Sequence, residues 1–407
     1  MISSKKSFFD FINENLNNDI HSLRLSLKKT KESSHLSNKT NDFAIVQIEC
    51  RQKARTKLSG FLSNFKFLFP DTLSAEQASH EAIALYHAYL SADCHTILDM
   101  TAGLGIDAMT MAKKGKKVTA VDIDNKRSSI LRYNCHQLGI TTLEAVCADS
   151  MEIIADEEKL YDLIFIDPSR RDSNNNRFHN LRACVPDVVG NKELLLNHGS
   201  KILIKASPML DISETLNDFP EARSIKAVGV KGECKEILVE ISSASNNNVN
   251  QEIKLEAINL DTGGNIISQF SVVKSIPGIY TDYASKNDLI TGKYLLEPSA
   301  MVMKLSPWHQ ISERFKAKKL GKNSHLFISE EKPEGFPGRV TSIERILSKK
   351  DFTSFKGKAA SVVSRNHPQT ADSLRKQLQL IEGDSRFIYA TRIGEKPILI
   401  EARIIKD

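Results

Sequence analysis

The sequence contains no Cys-x-x-Cys pair. Its six cysteines (Cys50, Cys94, Cys135, Cys147, Cys184 and Cys234) are scattered, and none sits beside a histidine at metal-ligand spacing. That pattern indicates neither a zinc site nor a disulfide framework, and no metal is expected. Free, dispersed cysteines fit a reducing compartment. No apolar run approaches the roughly 18 residues that cross a bilayer. The first residues offer lysines and two phenylalanines but no apolar h-region, so no secretory signal is read and the expected location is the cytoplasm. There is no internal repeat. Charge of one sign is also scarce. Lysine and arginine total 56 against 50 acids, a formal net charge of +6. This permits a polyanionic partner without requiring one.

What is present is an ordinary soluble composition, 41% hydrophobic and 26% charged, over 407 residues. That length accommodates two to four domains. Residues 1–40 read as amphipathic helix followed by a polar Ser/Lys-rich stretch. A basic helix follows within 41–66, with Ile45, Ile48 and Gln52 on one face and Arg51, Lys53, Arg55 and Lys57 around it. Those cations form either a solvated face or a set of phosphate contacts to nucleic acid. A further helix is expected to start at Leu73-Ser74 and run to about Leu90. Ser74 is read as N-cap, Gln77 closes a capping box, and Ala82, Leu85, Ala88 and Tyr89 form the apolar stripe.

From 96 to 242 the pattern alternates strand and helix. Strands are expected at 96–99, 117–122, 144–147, 160–167, 201–205, 224–230 and 236–241, with helices at 107–114, 125–138, 150–156, 187–198 and 211–219. Continuous Val/Ile/Leu runs are the mark of strands buried on both faces. The last two strands are joined by too few residues for a crossover helix and must form an antiparallel hairpin. Residues 242–250 read as a Ser/Asn-rich linker. Asp261-Thr262-Gly263-Gly264 then marks a hairpin between strands at 252–260 and 265–273. Segments 295–304 and 308–320 read as helical or mixed, and 330–337 as a second linker. The tail reads strand (359–363), helix (371–380), strand (387–393), strand (397–404).

The most informative stretch is Ile97-Leu98-Asp99-Met100-Thr101-Ala102-Gly103-Leu104-Gly105-Ile106-Asp107, a strand ending in an acid, a glycine turn, then a helix. Gly103 and Gly105 let a ligand approach the backbone closely, although such turns also close ordinary units without a ligand. In a parallel sheet, ligands bind at the carboxyl ends of the strands. Asp99, Asp122, Asp149 and Asp167 stand at or just beyond four of those ends.

Gly103-x-Gly105-x-x-Ala108 satisfies the dinucleotide pattern, with Asp122 placed for a ribose, so a nicotinamide-dependent oxidoreductase is one reading. Against it, Asp99 would face a pyrophosphate, a repulsive arrangement in a low-dielectric crevice. S-adenosylmethionine (SAM) carries a sulfonium and an ammonium instead, so acids around the loop attract it. Asp122 is then assigned to the ribose diol and Asp149 to the adenine amine. At the fourth strand end, Asp167-Pro168 forms a rigid turn that presents an acceptor beside the sulfonium; the bland alternative is a plain turn. Arg170 and Arg171 are read as gripping a substrate phosphate, pairing with acids, or merely solvated. Lys205 either faces the same cleft or makes a structural ion pair.

Asp99-x-x-x-Gly103-x-Gly105, Asp122, Asp149 and Asp167-Pro168 with this strand order resemble a class I SAM-dependent methyltransferase. The resemblance is closer still to the bacterial subgroup whose core carries a C-terminal THUMP-like domain. It rests on Gln77 and Ser79 in the helix before the core and on Asp167-Pro168-Ser169-Arg170-Arg171. In the tail it rests on Ser364-Arg365-Asn366-His367-Pro368 and Leu374-Arg375-Lys376-Gln377-Leu378. It implies an α/β, Rossmann-like seven-stranded methyltransferase core with a helical N-terminal domain and small α+β C-terminal modules. The expected boundaries are 1–91 (helical), 92–245 (methyltransferase), 246–332 (ferredoxin-like) and 333–407 (THUMP-like).

It further implies SAM as cofactor, with Gln77, Ser79 and Thr101 joining Asp99, Gly103, Gly105, Asp122 and Asp149 around it. Asp167 and Pro168 become the catalytic pair, and Arg170, Arg171 and Lys205 the substrate side. The THUMP relationship suggests RNA without fixing the acceptor; with the four acids and the basic flanking segments, the leading expectation is a structured RNA, rRNA or tRNA, methylated at a base nitrogen. The other readings kept are a non-catalytic RNA-binding protein with a vestigial core and a methyltransferase for a protein or small molecule. The sequence departs from the Asn/Asp-Pro-Pro-Tyr pattern of many amino methyltransferases, with Ser169 at the second proline and Arg170 at the aromatic. A base-stacking aromatic is therefore not carried over. No cysteine lies beside Asp167-Pro168, which disfavours a covalent 5-methylcytosine mechanism.

Overall fold

The computed structural model describes residues 8–29, 38–156, 159–170, 181–243, 252–274 and 283–405. The chain divides into two compact units, one of residues 1–231, 235–253 and 259–267, the other of 232–234, 254–258 and 268–407.

The first unit is built on seven strands, β1 Thr96–Asp99, β2 Lys117–Asp122, β3 Leu143–Cys147, β4 Tyr161–Ile166, β5 Gly199–Ala206, β6 Ser224–Val230 and β7 Glu233–Ser242. They lie in the order β3-β2-β1-β4-β5-β7-β6. Strands β1 to β5 are parallel, and β7 runs antiparallel to β5. The tight β6–β7 turn uses positive φ at Lys231 (51°) and Gly232 (83°), as a two-residue hairpin requires. Ile97, Leu98, Val118, Val121, Ile164, Ile166, Ile202 and Ile204 are almost fully buried, which is why these runs are apolar throughout. Register aligns the strand ends. Asp99 pairs with Ala120 and with Phe165, Asp122 with Cys147, and Ile166 with Ile204. One rim therefore carries Asp99, Asp122, Asp149, Asp167 and Lys205.

Ahead of the sheet lie the helices Phe8–Glu14, Ile20–Lys29, Asn38–Ala54, Ser59–Leu62, Thr72–Gln77 and Glu81–Leu90. The expected single helix from 73 to 90 is in fact two. Asp71, not Ser74, caps the first, accepting from Ser74 N at 2.6 Å. His80 caps the second, its Nδ1 accepting from Ala82 N at 3.1 Å. The break leaves Ala78 extended (ψ 141°) and brings Gln77–Ser79 to the rim. The apolar stripe is also wider than expected. Ile83, Ala84, Tyr86 and His87 are buried with Ala82 and Ala88, while Tyr89 is 66% exposed.

The basic helix is held largely by its own cations. Arg51 is buried and donates to the carbonyls of Phe65 and Phe67, both at 2.7 Å. Lys53 pairs with Glu49 and Glu76, and Lys57 donates to the Glu76 and Ala78 carbonyls. Arg55 is exposed.

The hairpin strands Lys254–Leu260 and Ile266–Val273 follow. The turn end, residues 259–267, belongs to the first unit. In the second unit a seven-stranded sheet runs Lys318–Lys319, Phe327–Ser329, Tyr294–Pro298, Gly338–Leu347, Lys396–Ile404, Arg386–Ile393, Ser361–Ser364. Its last pair is parallel, with helix Ala371–Leu378 between them in sequence. Leu295, Leu326, Tyr389 and Ile400 pack one buried cluster, and Phe355, Leu374, Leu378 and Ile388 another. Gly338–Leu347, ten residues near the middle of this sheet, has no counterpart in the sequence reading. A register shift between Ile343 and Arg345 breaks the alternation that would have revealed it.

Candidate active site

The carboxyl ends of β1 to β5 open into a cleft of about 900 Å³. Its walls include Gln77, Ser79, Asp99, Thr101, Gly103, Gly105, Asp122, Asp149, Asp167, Pro168 and Lys205. Of the two arginines expected on the substrate side, only the backbone of Arg170 is described, and Arg171 lies outside the described residues.

The glycine turn is shaped by its backbone. Gly103 and Gly105 take positive φ (55° and 81°), a region that strains other residues. A Cβ on Gly105 would come within 2.3 Å of Leu131 Cδ1. Gly105 then starts the helix Ile106–Lys113. Two backbone bonds tie the turn to the sheet: Met100 N donates to Phe165 O (3.0 Å) and Ala102 N to Val121 O (2.9 Å).

The acids are fixed individually. Asp122 Oδ2 accepts from Gly103 N at 3.0 Å and its Oδ1 from Asp124 N at 2.8 Å, so its carboxylate is oriented before any ligand arrives. Asp149 Oδ1 accepts from Met151 N at 2.8 Å. Asp99 is 2% exposed and accepts from Thr101 N at 3.1 Å. Burial pushes its carboxyl up to about 8, with Asp107 and Asp167 adding to the rise while Thr101 N–H and Lys205 oppose it. The Thr101 hydroxyl accepts from Asp167 N at 2.7 Å and so locks the Asp167-Pro168 turn to the glycine loop. Asp167 Oδ2 accepts from Lys205 Nζ at 2.5 Å.

Lys205 is thus both at the cleft and in an ion pair, which joins the two readings its sequence position allowed. It also donates to Ser79 Oγ at 3.0 Å. Despite burial, the nearby carboxylates of Asp167, Asp107 and Glu236 raise its pKa.

Three residues of this region were absent from the sequence-derived site. Asp107, His87 and Glu236 are buried and connected, with His87 Nδ1 at 2.7 Å from Asp107 Oδ1 and Nε2 at 2.6 Å from Glu236 Oε1. Burial opposes ionisation of Asp107, but His87 holds it down at about 2. The available signal was a histidine set in the apolar run Ile83-Ala84-Leu85-Tyr86-His87-Ala88. Its partners stand 20 and 149 residues away. Among the described residues, no group of three or more His, Cys, Asp or Glu could hold a metal ion. None of the described helices is long and apolar enough to cross a membrane.

The donor set suits a ligand with hydroxyls, an amine and positive charge. Oriented carboxylates at Asp122 and Asp149 accept from hydroxyl and amino groups, and Asp99 gains an ionised form beside a cation.

Comparison with known proteins agrees with this geometry. Residues 94–170 match a family described as RNA cap guanine-N2 methyltransferase. Residues 294–337 match a ferredoxin-like domain and residues 338–403 a THUMP domain-like family. Both of these last segments contribute to the seven-stranded sheet, where Tyr294–Pro298 pairs with Gly338–Leu347. A crystal structure described as "putative methyltransferase from Porphyromonas gingivalis W83" superposes with a TM-score of 0.80. It is 25% identical and covers 98% of each chain. "Uncharacterized protein L320" of Acanthamoeba polyphaga mimivirus is 26% identical over 136 residues, 30% of this chain and 53% of that protein. The chain spans about half the length of this curated relative.

Proposed function

Because the chain is a class I methyltransferase of the subgroup with a C-terminal THUMP-like domain, we propose that it uses SAM to methylate a base nitrogen of structured RNA, rRNA or tRNA. The observation that carries this reading is the single rim on which Asp99, Asp122, Asp149 and Asp167 meet the glycine turn. The match to a THUMP-like domain supports RNA as the acceptor.

Bound SAM supplies a methyl group on a positively charged sulfur. The chain's residues do the rest. Asp122, already oriented by Gly103 N and Asp124 N, accepts from the ribose hydroxyls. Asp149 accepts from the adenine amine. Gln77, Thr101 and the two glycines complete the walls of the cofactor half of the cleft. Asp99 provides negative charge next to the cationic end. Asp167 has one carboxylate oxygen taken by Lys205. Its other oxygen accepts from an N–H of the acceptor and aims the nitrogen lone pair at the methyl group. Pro168 holds that turn rigid. The proton that the nitrogen sheds as it takes the methyl group passes to the Asp167 carboxylate or to water. The rate gain comes from positioning and from exclusion of water, with no strong base required. Arg170 and Arg171 are assigned to substrate phosphate.

The decisive test is transfer of tritiated methyl groups from SAM to total RNA from a strain lacking this gene, followed by nucleoside mass spectrometry. A methylated base missing from the deletion strain and restored by the protein supports the reading. RNA binding with a steep salt dependence but no transfer makes the core vestigial. Transfer to protein or to a small molecule instead of RNA replaces the acceptor.

A further inference from the structure

Behind Asp167, side chains run inward in an unbroken line. Lys205 Nζ meets Asp167 Oδ2 at 2.5 Å and Ser79 Oγ at 3.0 Å. The Ser79 hydroxyl donates to Asp107 Oδ2. Asp107 Oδ1 meets His87 Nδ1, and His87 Nε2 meets Glu236 Oε1. His87 is fully buried, its ring centre 5.1 Å from that of Phe165. Both ring nitrogens face carboxylate oxygens. A neutral imidazole has one N–H and one lone pair, and the lone pair would oppose a carboxylate. With both carboxylates ionised, the ring meets them best in its doubly protonated, charged form, in which each nitrogen donates. Burial works against that charge, but Glu236 and Asp107 outweigh it and raise the ring's pKa to about 10.

The charges of this line decide where Lys205 goes. Asp107, Asp167 and Glu236 are three acids, and Lys205 and His87 are two cations. Lys205 reaches Asp167 directly and Asp107 through one hydroxyl, so the two acids compete for one ammonium. We propose that His87 is a positioning residue for methyl transfer: by balancing Asp107 it leaves the Lys205 ammonium to Asp167, whose carboxylate is thereby fixed where the acceptor nitrogen arrives. Without the imidazolium, Asp107 draws Lys205 away and Asp167 turns loose in the cleft. The kinetic consequence rests on the methyltransferase reading above, whereas the charge arrangement does not.

Three measurements test it. In the native protein, ring ¹⁵N shifts of His87 should report both nitrogens protonated up to about pH 8; a neutral ring overturns the proposal, and this result needs no variant to fold. In a crystal structure of His87→Gln, Lys205 Nζ should lie on Asp107 and no longer on Asp167; an unmoved Lys205–Asp167 pair overturns it. In transfer assays, His87→Gln should lower kcat by about tenfold or more while KM for RNA and the Kd for SAM change by less than about threefold. The double variant His87→Gln/Asp107→Asn restores the original charge balance and should recover about fivefold of that loss, an opposite-sign coupling that a merely structural role does not give. Additive losses overturn the proposal. If the native protein methylates no RNA, the functional reading fails, and the ¹⁵N and crystallographic results still judge the arrangement.

Discussion

If SAM is the cofactor, as proposed, Asp99 should make its affinity depend on pH in a definite direction. The residue is 2% exposed, and burial, aided by Asp107 and Asp167, lifts its carboxyl to about 8. At pH 7 the cofactor-free protein therefore keeps Asp99 mostly neutral. A cationic ligand favours the ionised form, so binding expels the proton. Each pH unit below the pKa costs about 1.36 kcal/mol, so at pH 6 the penalty is about 2.7 kcal/mol, roughly a hundredfold in affinity. The Kd for SAM should fall nearly tenfold from pH 6 to pH 7 and about fivefold from pH 7 to pH 8. It should level off above that, because Asp99 is then ionised before the ligand arrives. Isothermal titration in two buffers of different ionisation enthalpy measures the proton directly, with close to one released per SAM near pH 6.5. Asp107 and His87 do not titrate in this window, being held at about 2 and about 10. Asp99→Asn should bind more weakly at pH 8 and show no rise between pH 6 and pH 8. A native affinity that is flat across that range, with no proton released, refutes the argument.

The same shift has a consequence for stability, with the sign following from where the proton sits. Unfolded, Asp99 ionises near 3.8; folded, near 8. Between those values the folded state binds the extra proton, so this group's contribution to stability falls as pH rises through the window. Saturating SAM should cancel that trend, because Asp99 is ionised in the bound state as it is in the unfolded chain, so neither carries the extra proton.

Asp122→Ala should abolish measurable SAM binding in the same titration; unchanged affinity would remove the ribose assignment. Asp167→Ala should retain SAM affinity within a few fold and lose methyl transfer by about a hundredfold or more, as expected for a group that aims the acceptor. Retained turnover in single-turnover assays would strip it of that role. Gly105→Ala forces a side chain into φ 81° against Leu131 and should lower stability by about 1–3 kcal/mol in a denaturant titration. An unaltered midpoint would show that the turn does not need glycine there. Arg51→Ala should destabilise by about 1–3 kcal/mol, leaving the carbonyls of Phe65 and Phe67 short of a donor. The slope of RNA affinity against salt should not change, and a shallower slope would make Arg51 a phosphate contact after all.

Parts of this molecule that depend on local pattern were legible in the sequence, and parts that depend on distance were not. The strands of the core could be read because each is a continuous apolar run between parallel neighbours. The rim acids could be read because strand ends of a parallel sheet converge by topology, so residues as far apart as Asp99 and Asp167 meet without any pairwise signal. Where local rules compete, the reading slipped. Asp71 and Ser74 both suit an N-cap, and the backbone chose the earlier one, which freed Ala78 to break the helix and turn Ser79 inward. Arg51 sits among cations that look alike in sequence, and only the fold turns its guanidinium into the donor for two buried carbonyls. Strand Gly338–Leu347 hid behind its register shift.

The His87 line was beyond reach for a different reason. Each of its contacts joins separate elements, from helix Glu81–Leu90 to the helix starting at Ile106 and on to β7 and β5. Each residue alone is unremarkable: a histidine in an apolar run, an acid in a first helical turn, a lysine at a strand end. Their meaning is electrostatic and collective. Asp107 with a low pKa, His87 with a high one and Asp99 pushed towards neutrality arise from one shared, dry interior, where every charge fixes the state of the next. A cleft built this way has its protonation states set before a cationic ligand arrives. Asp99, beside the glycine turn, is left near its titration point, where a ligand's positive charge can then decide the proton.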